Sequence, residues 1–332
     1  MSLMQNFPRL MLAVWLFAAV TAGRAEEAQP TDATSSATPY AQEEGRTAGV
    51  KSETQRKAES GESHVTLSRI RDAGVFQQAE GQAWRTLRNG PVTFYGGWLL
   101  MLAPAGILAF YLMFGPMKVH EPLSGKQIRR FSRKEQVVHW SVAGSFVVLG
   151  LTGIIILFGK HVLIPVIGHE AFSWVAVIGK NVHNIVGPFF AVAIAAMFAT
   201  FVRDNLLKAI DLQWLLNVHL VVTGKKHVPS YKYNIGEKVW FWGGVSFLGL
   251  VVSASGLVLD FPTFEQTRQA MQIANLVHGI GALLFLAAAF GHIYMGTIGA
   301  EGAYQAMKTG MVDETWAKEH HELWYEQMKD KA

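Results

Sequence analysis

Two histidines, His278 and His292, stand in the otherwise apolar run "NLVHGIGALLFLAAAFGHIYM", residues 275–295. Imidazole nitrogens bind metals and carry protons, and an ionisable side chain at membrane depth costs enough to be functional by default. The two are fourteen residues apart, which on a helix is about 21 Å of rise and ~40° short of four full turns. Both side chains therefore leave one face of one helix at two levels. Zinc would call for a short spacing such as i, i+3 or i+4. Fourteen residues is too far for one ion, so each histidine needs a partner at its own depth.

Two more histidines lie in apolar runs: His139 in "VVHWSVAGSF" and His183 in "NVHNIVGPFF". The chain has twelve histidines, and the other eight fall in loops or tails. Five apolar spans are expected, at about 94–115, 137–158, 174–201, 239–259 and 273–298. Each is long enough to cross about 30 Å of hydrocarbon. Lysines and arginines gather in two loops, with Lys118, Lys126, Arg129, Arg130, Arg133 and Lys134 in one and Arg203, Lys208, Lys225, Lys226, Lys232 and, at its boundary, Lys238 in the other. The positive-inside rule places both loops in the cytoplasm, with the N-terminal tail outside and the C-terminus inside. His139 then lies near the cytoplasmic start of its span and His183 near the outer end of its own. Depth alone pairs His139 with His292 and His183 with His278.

Two facing imidazoles without thiolate or carboxylate suit a low-spin b-type haem with both axial positions filled. Gly187, Gly279, Gly281 and Gly291 would leave room for a flat ring. The bland alternative for any one histidine is a hydrogen bond to a neighbouring helix; four that sort into two level pairs weigh against it. Lys180 is compatible with a haem propionate partner or with a cation snorkelling to the interface.

Composition agrees with a membrane chain. Of 332 residues, 50% are hydrophobic and only 16% charged, with a mean hydropathy of +0.21; soluble domains carry about a quarter charged residues. There are no cysteines, which excludes disulfides, thiolate-held iron–sulfur clusters and covalently attached haem in this chain. The net charge of +4 comes from cations beside apolar spans, which fits a membrane face better than nucleic acid. Residues 1–25 read as a signal peptide, with Arg9 before a short apolar core and small residues ahead of Ala25; an uncleaved anchor is the alternative. Residues 26–90 are too polar to pack and are expected as an exported, largely disordered tail.

The blocks "VVHWSVAGSFVVLGLTG", "NVHNIVGPFF", "KYNIGEKVWFW", "LVHGIGALLFLAAAFGHIYMG" and "WAKEHHELWYEQM" together resemble the membrane cytochrome b (gamma) subunit of respiratory formate dehydrogenases. The likeness runs from about Phe131 to Met328. It implies an all-α integral membrane fold: a four-helix haem-binding transmembrane core at 119–300 carrying two haems b. To this are added an extra N-terminal transmembrane helix at 91–118, read as peripheral, and a cytoplasmic tail at 301–332. The resemblance implies that His183 and His278 bind the outer haem iron, and His139 and His292 the inner one. It implies no catalytic residue for formate itself.

Electrons would come from a periplasmic iron–sulfur (beta) subunit, fed by a molybdenum- or tungsten-containing catalytic (alpha) subunit. They would reduce menaquinone or ubiquinone near the cytoplasmic side of the bacterial inner membrane. Similarity also points to Asn234 and Gly236 as a quinone pocket; for Asn234 a helix cap is the competing role. Glu237 departs from the neutral residue expected there. Cytochrome b subunits of nickel–iron hydrogenases or thiosulfate reductases are the alternative within redox chemistry. A proton-coupled transporter using intramembrane histidines is the alternative outside it, although no inverted repeat is visible.

Overall fold

The computed structural model describes residues 64–65, 76–77, 79–222 and 228–329. The expected signal peptide, most of the polar tail, and Lys225, Lys226 and His227 lie outside the described residues. The chain forms two units, Met1–Arg85 and Thr86–Ala332. In the first, His64–Val65 pairs antiparallel with Phe76–Gln77.

The second unit holds the spans. Among the described residues, five helices are long and apolar enough to cross a membrane. They are α1 (Thr93–Phe114), α2 (Arg133–Val162), α3 (Ile164–Phe201), α4 (Ile235–Asp260) and α5 (Arg268–Gly299). In hydrocarbon every backbone N–H and C=O must find its partner within the chain, so helices are the natural solution. Their starts are capped by side chains. Ser132 and Glu135 form a reciprocal capping box on α2, Asn234 and Glu237 do the same on α4, and Thr267 caps α5.

The helices run longer than the apolar pattern suggests at one end. Only Leu163 separates α2 from α3, and the turn is completed by a kink at Gly168, whose φ of 77° suits glycine alone. Pro165 sits in the first turn of α3, where its missing N–H costs nothing. The connection expected as a loop is thus helical, and His183 lies well within α3 instead of near its end.

α2 pairs with α3 and α4 with α5, and α3 packs on α4. The backbones of α2 and α5 do not approach closely; they meet through side chains, with Leu286 pressed on Gly150. α1 lies against α5, where Gly96 lets its backbone approach Leu283. It buries only Gly96 and Gly97, as fits a peripheral helix.

The end of the bundle opposite the two hairpin turns carries most of the loop structure. There β1 (Gln127–Arg129) pairs antiparallel with β2 (Met311–Asp313). The segment after residue 300, expected as a tail, is packed. Two short helices, α6 (Glu314–His320) and α7 (Glu322–Met328), bury Trp316, Ala317, Trp324 and Tyr325 in the core. The Asp313 carboxylate ties this segment down by accepting from the backbone N–H groups of Ser124, Gly125 and Thr315. The sequence pattern does not show this packing, because seven-residue helices have weak periodicity and their partner strand is remote in sequence.

At the same end Lys238 is completely buried. Its ammonium donates to Asp211 at 2.6 Å and to the Leu206 carbonyl at 3.1 Å, fixing the α3–α4 connection to the first turn of α4. Removing one partner of such a pair leaves an uncompensated charge and costs about 3–5 kcal/mol. Lys238→Ala is therefore expected to lower stability by about that much, and Lys238→Ala/Asp211→Ala to recover part of it, read by thermal unfolding in detergent.

Hydrogen bonds to the Asp313 carboxylate outweigh its partial burial and hold its pKa below the usual value. A carboxyl with a depressed folded pKa contributes stability above its unfolded value of about 3.9, and that contribution is lost as pH falls through the folded value. Asp313→Asn is expected to speed proteolysis of the C-terminal segment at pH 7. The difference from the unmodified chain should vanish in strong acid.

Candidate functional site

The four singled-out histidines meet in two pairs. His139 of α2 faces His292 of α5 with ring centres 6.2 Å apart. His183 of α3 faces His278 of α5 with ring centres 6.0 Å apart. All four are half-buried. α5 contributes to both pairs, and the fourteen-residue spacing places them about 20 Å apart along it. Two metal–imidazole bonds of about 2 Å, each extended to the ring centre, put trans imidazoles about 6 Å apart.

The local setting differs between the pairs. At the 183/278 level each Nδ1 is engaged. His183 Nδ1 lies 2.8 Å from Thr152 Oγ1, and His278 Nδ1 lies 3.0 Å from the Val252 carbonyl and 3.3 Å from Ser255 Oγ. Their Nε2 atoms are left for another partner. At the 139/292 level, His292 stacks on Trp240 at 4.6 Å with 9° between planes. His139 Nδ1 is buried and has no hydrogen-bond partner among the described residues.

Residues 240–248 of α4 form a π-helical segment, the kind of irregularity that collects at functional sites. It positions Trp240 across from His292. Gly244 is needed there, because a Cβ would lie 2.6 Å from Trp240 Cε3.

Between the two levels lies a plug of phenylalanines. Phe285 stands seven residues from each histidine of α5, close to two helical turns, and so shares their face. It packs on Phe146, ring centres 4.8 Å apart, and Phe146 meets Phe190. Phe190 and Phe285 are 3% exposed. The layer sets apolar rings between the two levels, and Phe146 and Phe285 also line the cavity on the inner side. These residues were not singled out in the sequence, although the seven-residue register of Phe285 was there to be read.

A cavity of ≈ 2260 Å³ opens beside the inner pair, lined among others by His139, His292, Trp240, Gly243, Asn234 and Gly236. The expected quinone residues thus lie on the same cavity as His292. Their immediate role is local. Asn234 Oδ1 accepts from Glu237 N–H at 3.0 Å, and a Cβ at Gly236 would press on that oxygen at 3.2 Å. The cap does not use the Asn234 amide N–H₂. Glu237 caps the helix with one oxygen and pairs with Arg130 through the other at 2.9 Å.

His321, from the supposed tail, lines this cavity too. Burial and nearby Arg130 push its pKa well down. The neutral ring makes a 2.7 Å hydrogen bond through Nδ1 to the Tyr231 carbonyl. It stands in the block "WAKEHHELWYEQM", which gave it no individual role, because only the fold brings residue 321 to residue 231.

Of the glycines expected to make room for a flat ring, Gly187, Gly279 and Gly291 have open space where a Cβ would stand. Gly281 does not: a Cβ there would meet Val251 and Val252 within 3.3 Å, so it serves helix packing. Lys180 is exposed.

A profile of prokaryotic cytochrome b561 matches residues 130–310, more than half of the chain. The chain belongs to this family. It is a membrane cytochrome b, an electron-transfer subunit, and the family implies haem b. The cytochrome is similar to the cytochrome b556(Fdn) subunit of the nitrate-inducible formate dehydrogenase of Escherichia coli K12, with 28% identity over 214 residues, covering 61% of this chain and 93% of the relative. The cytochrome b556(fdo) subunit of the same organism is 26% identical over 210 residues, with the same coverage. The cytochrome b556 subunit of a Haemophilus influenzae formate dehydrogenase is 24% identical over 203 residues, covering 60% of this chain and 82% of the relative. The resemblance to formate dehydrogenase cytochrome b subunits holds, and the transporter alternative falls away. The donor set fits haem b: neutral imidazoles in facing pairs, open space at three nearby glycines and no competing thiol.

Gly244→Ala is expected to displace Trp240 from His292 and to lower stability by about 1–3 kcal/mol through overpacking. Gly106→Ala on α1, where a Cβ meets nothing within 4 Å, should lose nothing. Thermal unfolding and near-ultraviolet circular dichroism of the two variants check this.

Proposed function

We propose that this chain is the dihaem membrane subunit of a formate dehydrogenase complex. It would take electrons from an iron–sulfur subunit on the outer face and deliver them to menaquinone or ubiquinone near the cytoplasmic face. The observation that carries the reading is the pair of imidazole–imidazole separations, 6.0 and 6.2 Å, at two levels of one bundle. In this reading His183 and His278 hold the outer haem iron, and His139 and His292 the inner one. A bound b-type haem supplies a one-electron Fe(III)/Fe(II) couple.

The chain's own residues do the rest. Thr152, Ser255 and the Val252 carbonyl orient the outer imidazoles through Nδ1, leaving Nε2 toward the metal. Trp240 holds the plane of His292 by stacking. Phe146, Phe190 and Phe285 exclude water between the levels. The cavity beside His292 is large enough for a quinone head, with the Asn234 amide N–H₂ as donor to a quinone carbonyl and Gly236 beside it.

The names of the relatives support formate as the electron source; the complex then also includes a molybdenum- or tungsten-containing catalytic subunit. The basic loops support an inner-membrane orientation with the loop-rich end in the cytoplasm and the N-terminal side in the periplasm.

The purified complex is expected to show a b-type α-band after dithionite and two haems per copy of this chain. His278→Ala should lose one haem and keep the other. Retention of both haems by that variant would break the pairing, and copurification with hydrogenase subunits would remove formate as the donor.

A further inference from the structure

Two hydroxyls of the outer level carry information beyond ligand orientation. Thr152 Oγ1 lies 2.8 Å from the Val148 carbonyl, one turn back on α2. A carbonyl only accepts, so the single hydroxyl hydrogen is committed to it, and Oγ1 must accept from His183 Nδ1–H. Ser255 repeats the arrangement on α4: its hydroxyl donates to the Val251 carbonyl at 2.6 Å, and its oxygen faces His278 Nδ1 at 3.3 Å. The Val252 carbonyl, 3.0 Å from the same nitrogen, accepts only. Both outer imidazoles are thereby fixed as the Nδ1–H tautomer, each donating that hydrogen to an oxygen.

A glycine follows each hydroxyl. A Cβ on Gly153 would lie 3.6 Å from His183 Cε1, and one on Gly256 would lie 3.1 Å from His278 Cε1. "TG" on α2 against α3 and "SG" on α4 against α5 form the same device in two successive hairpins. Among the described residues the inner level lacks it: His139 Nδ1 is buried without a partner, and His292 is held by the face of Trp240.

Donation from Nδ1–H makes an imidazole a more basic ligand, which favours the ferric over the ferrous state of a bound iron. Resting on the haem-ligand reading above, we propose that Thr152 and Ser255 tune the outer haem to a lower reduction potential than the inner one. One electron passing inward then oxidises the outer iron and reduces the inner iron, downhill, with no bond made or broken and no proton required. The two residues act through the histidines and are positioning residues.

Potentiometric titration of the α-band of the intact complex tests this. The unmodified protein should titrate in two waves. Thr152→Val keeps the side-chain volume and removes the hydroxyl acceptor, leaving only the Leu149 carbonyl beside His183; the lower wave should shift upward and the upper wave stay in place, with two haems per chain retained. Thr152→Ser restores an acceptor and should return the lower wave toward its original position. If Thr152→Val sheds a haem, Ser255→Ala decides, since the Val252 carbonyl still holds His278; a smaller upward shift of the same wave is expected. Unmoved waves, a downward shift, or movement of the upper wave, with both haems present, would overturn the proposal and leave the ligand assignment standing. A His278→Ala chain that kept both haems would instead remove the ligand assignment itself.

Discussion

A polar group in hydrocarbon must find a partner inside the protein, and that constraint organises this molecule. The backbone meets it by running helical through five spans. The outer histidines meet it with one ring nitrogen, through Thr152, Ser255 and the Val252 carbonyl. A second nitrogen remains on each imidazole, and the two rings stand with centres 6.0 Å apart, a spacing that two metal–imidazole bonds of about 2 Å would span. The hydroxyls themselves are satisfied by donating one turn back along their own helices.

The two ends of the bundle solve different problems. At the hairpin end, α2 and α3 join almost without a loop, and the Gly168 kink reverses the chain. At the other end, irregular chain and two buried or half-buried ion pairs, Lys238–Asp211 and Arg130–Glu237, hold the approach to α4. The C-terminal helices add Trp316, Trp324 and His321 to the same region. In both pairs the cation donates directly to its carboxylate partner, which offsets part of the cost of burial. The cavity beside His292 opens between these fixed parts, so its shape depends on residues from 114 to 322.

Glycine has three distinct uses in the bundle. Gly96, Gly150 and Gly281 let helices approach. Gly187, Gly279 and Gly291 leave space open. Gly244 and Gly256 make way for a particular ring, Trp240 or His278. Composition does not distinguish these uses, because each appears in sequence as a glycine in an apolar run.

The sequence alone determined the membrane class, the five spans and the pairing of histidines by level. These follow from short-range quantities: the length of an apolar run, the side of the membrane that cations prefer, and the rise of 1.5 Å per residue. It also placed Asn234 at a helix start, leaving its role open. Only the tertiary structure decided which atoms face one another. That Thr152 meets His183 and Ser255 meets His278, that Gly281 packs instead of making room, and that residues 311–328 close the bundle end all depend on helix rotation and pairings remote along the chain. Periodicity within one segment carries no term for the angle at which its neighbour turns, so those contacts had to wait for the fold.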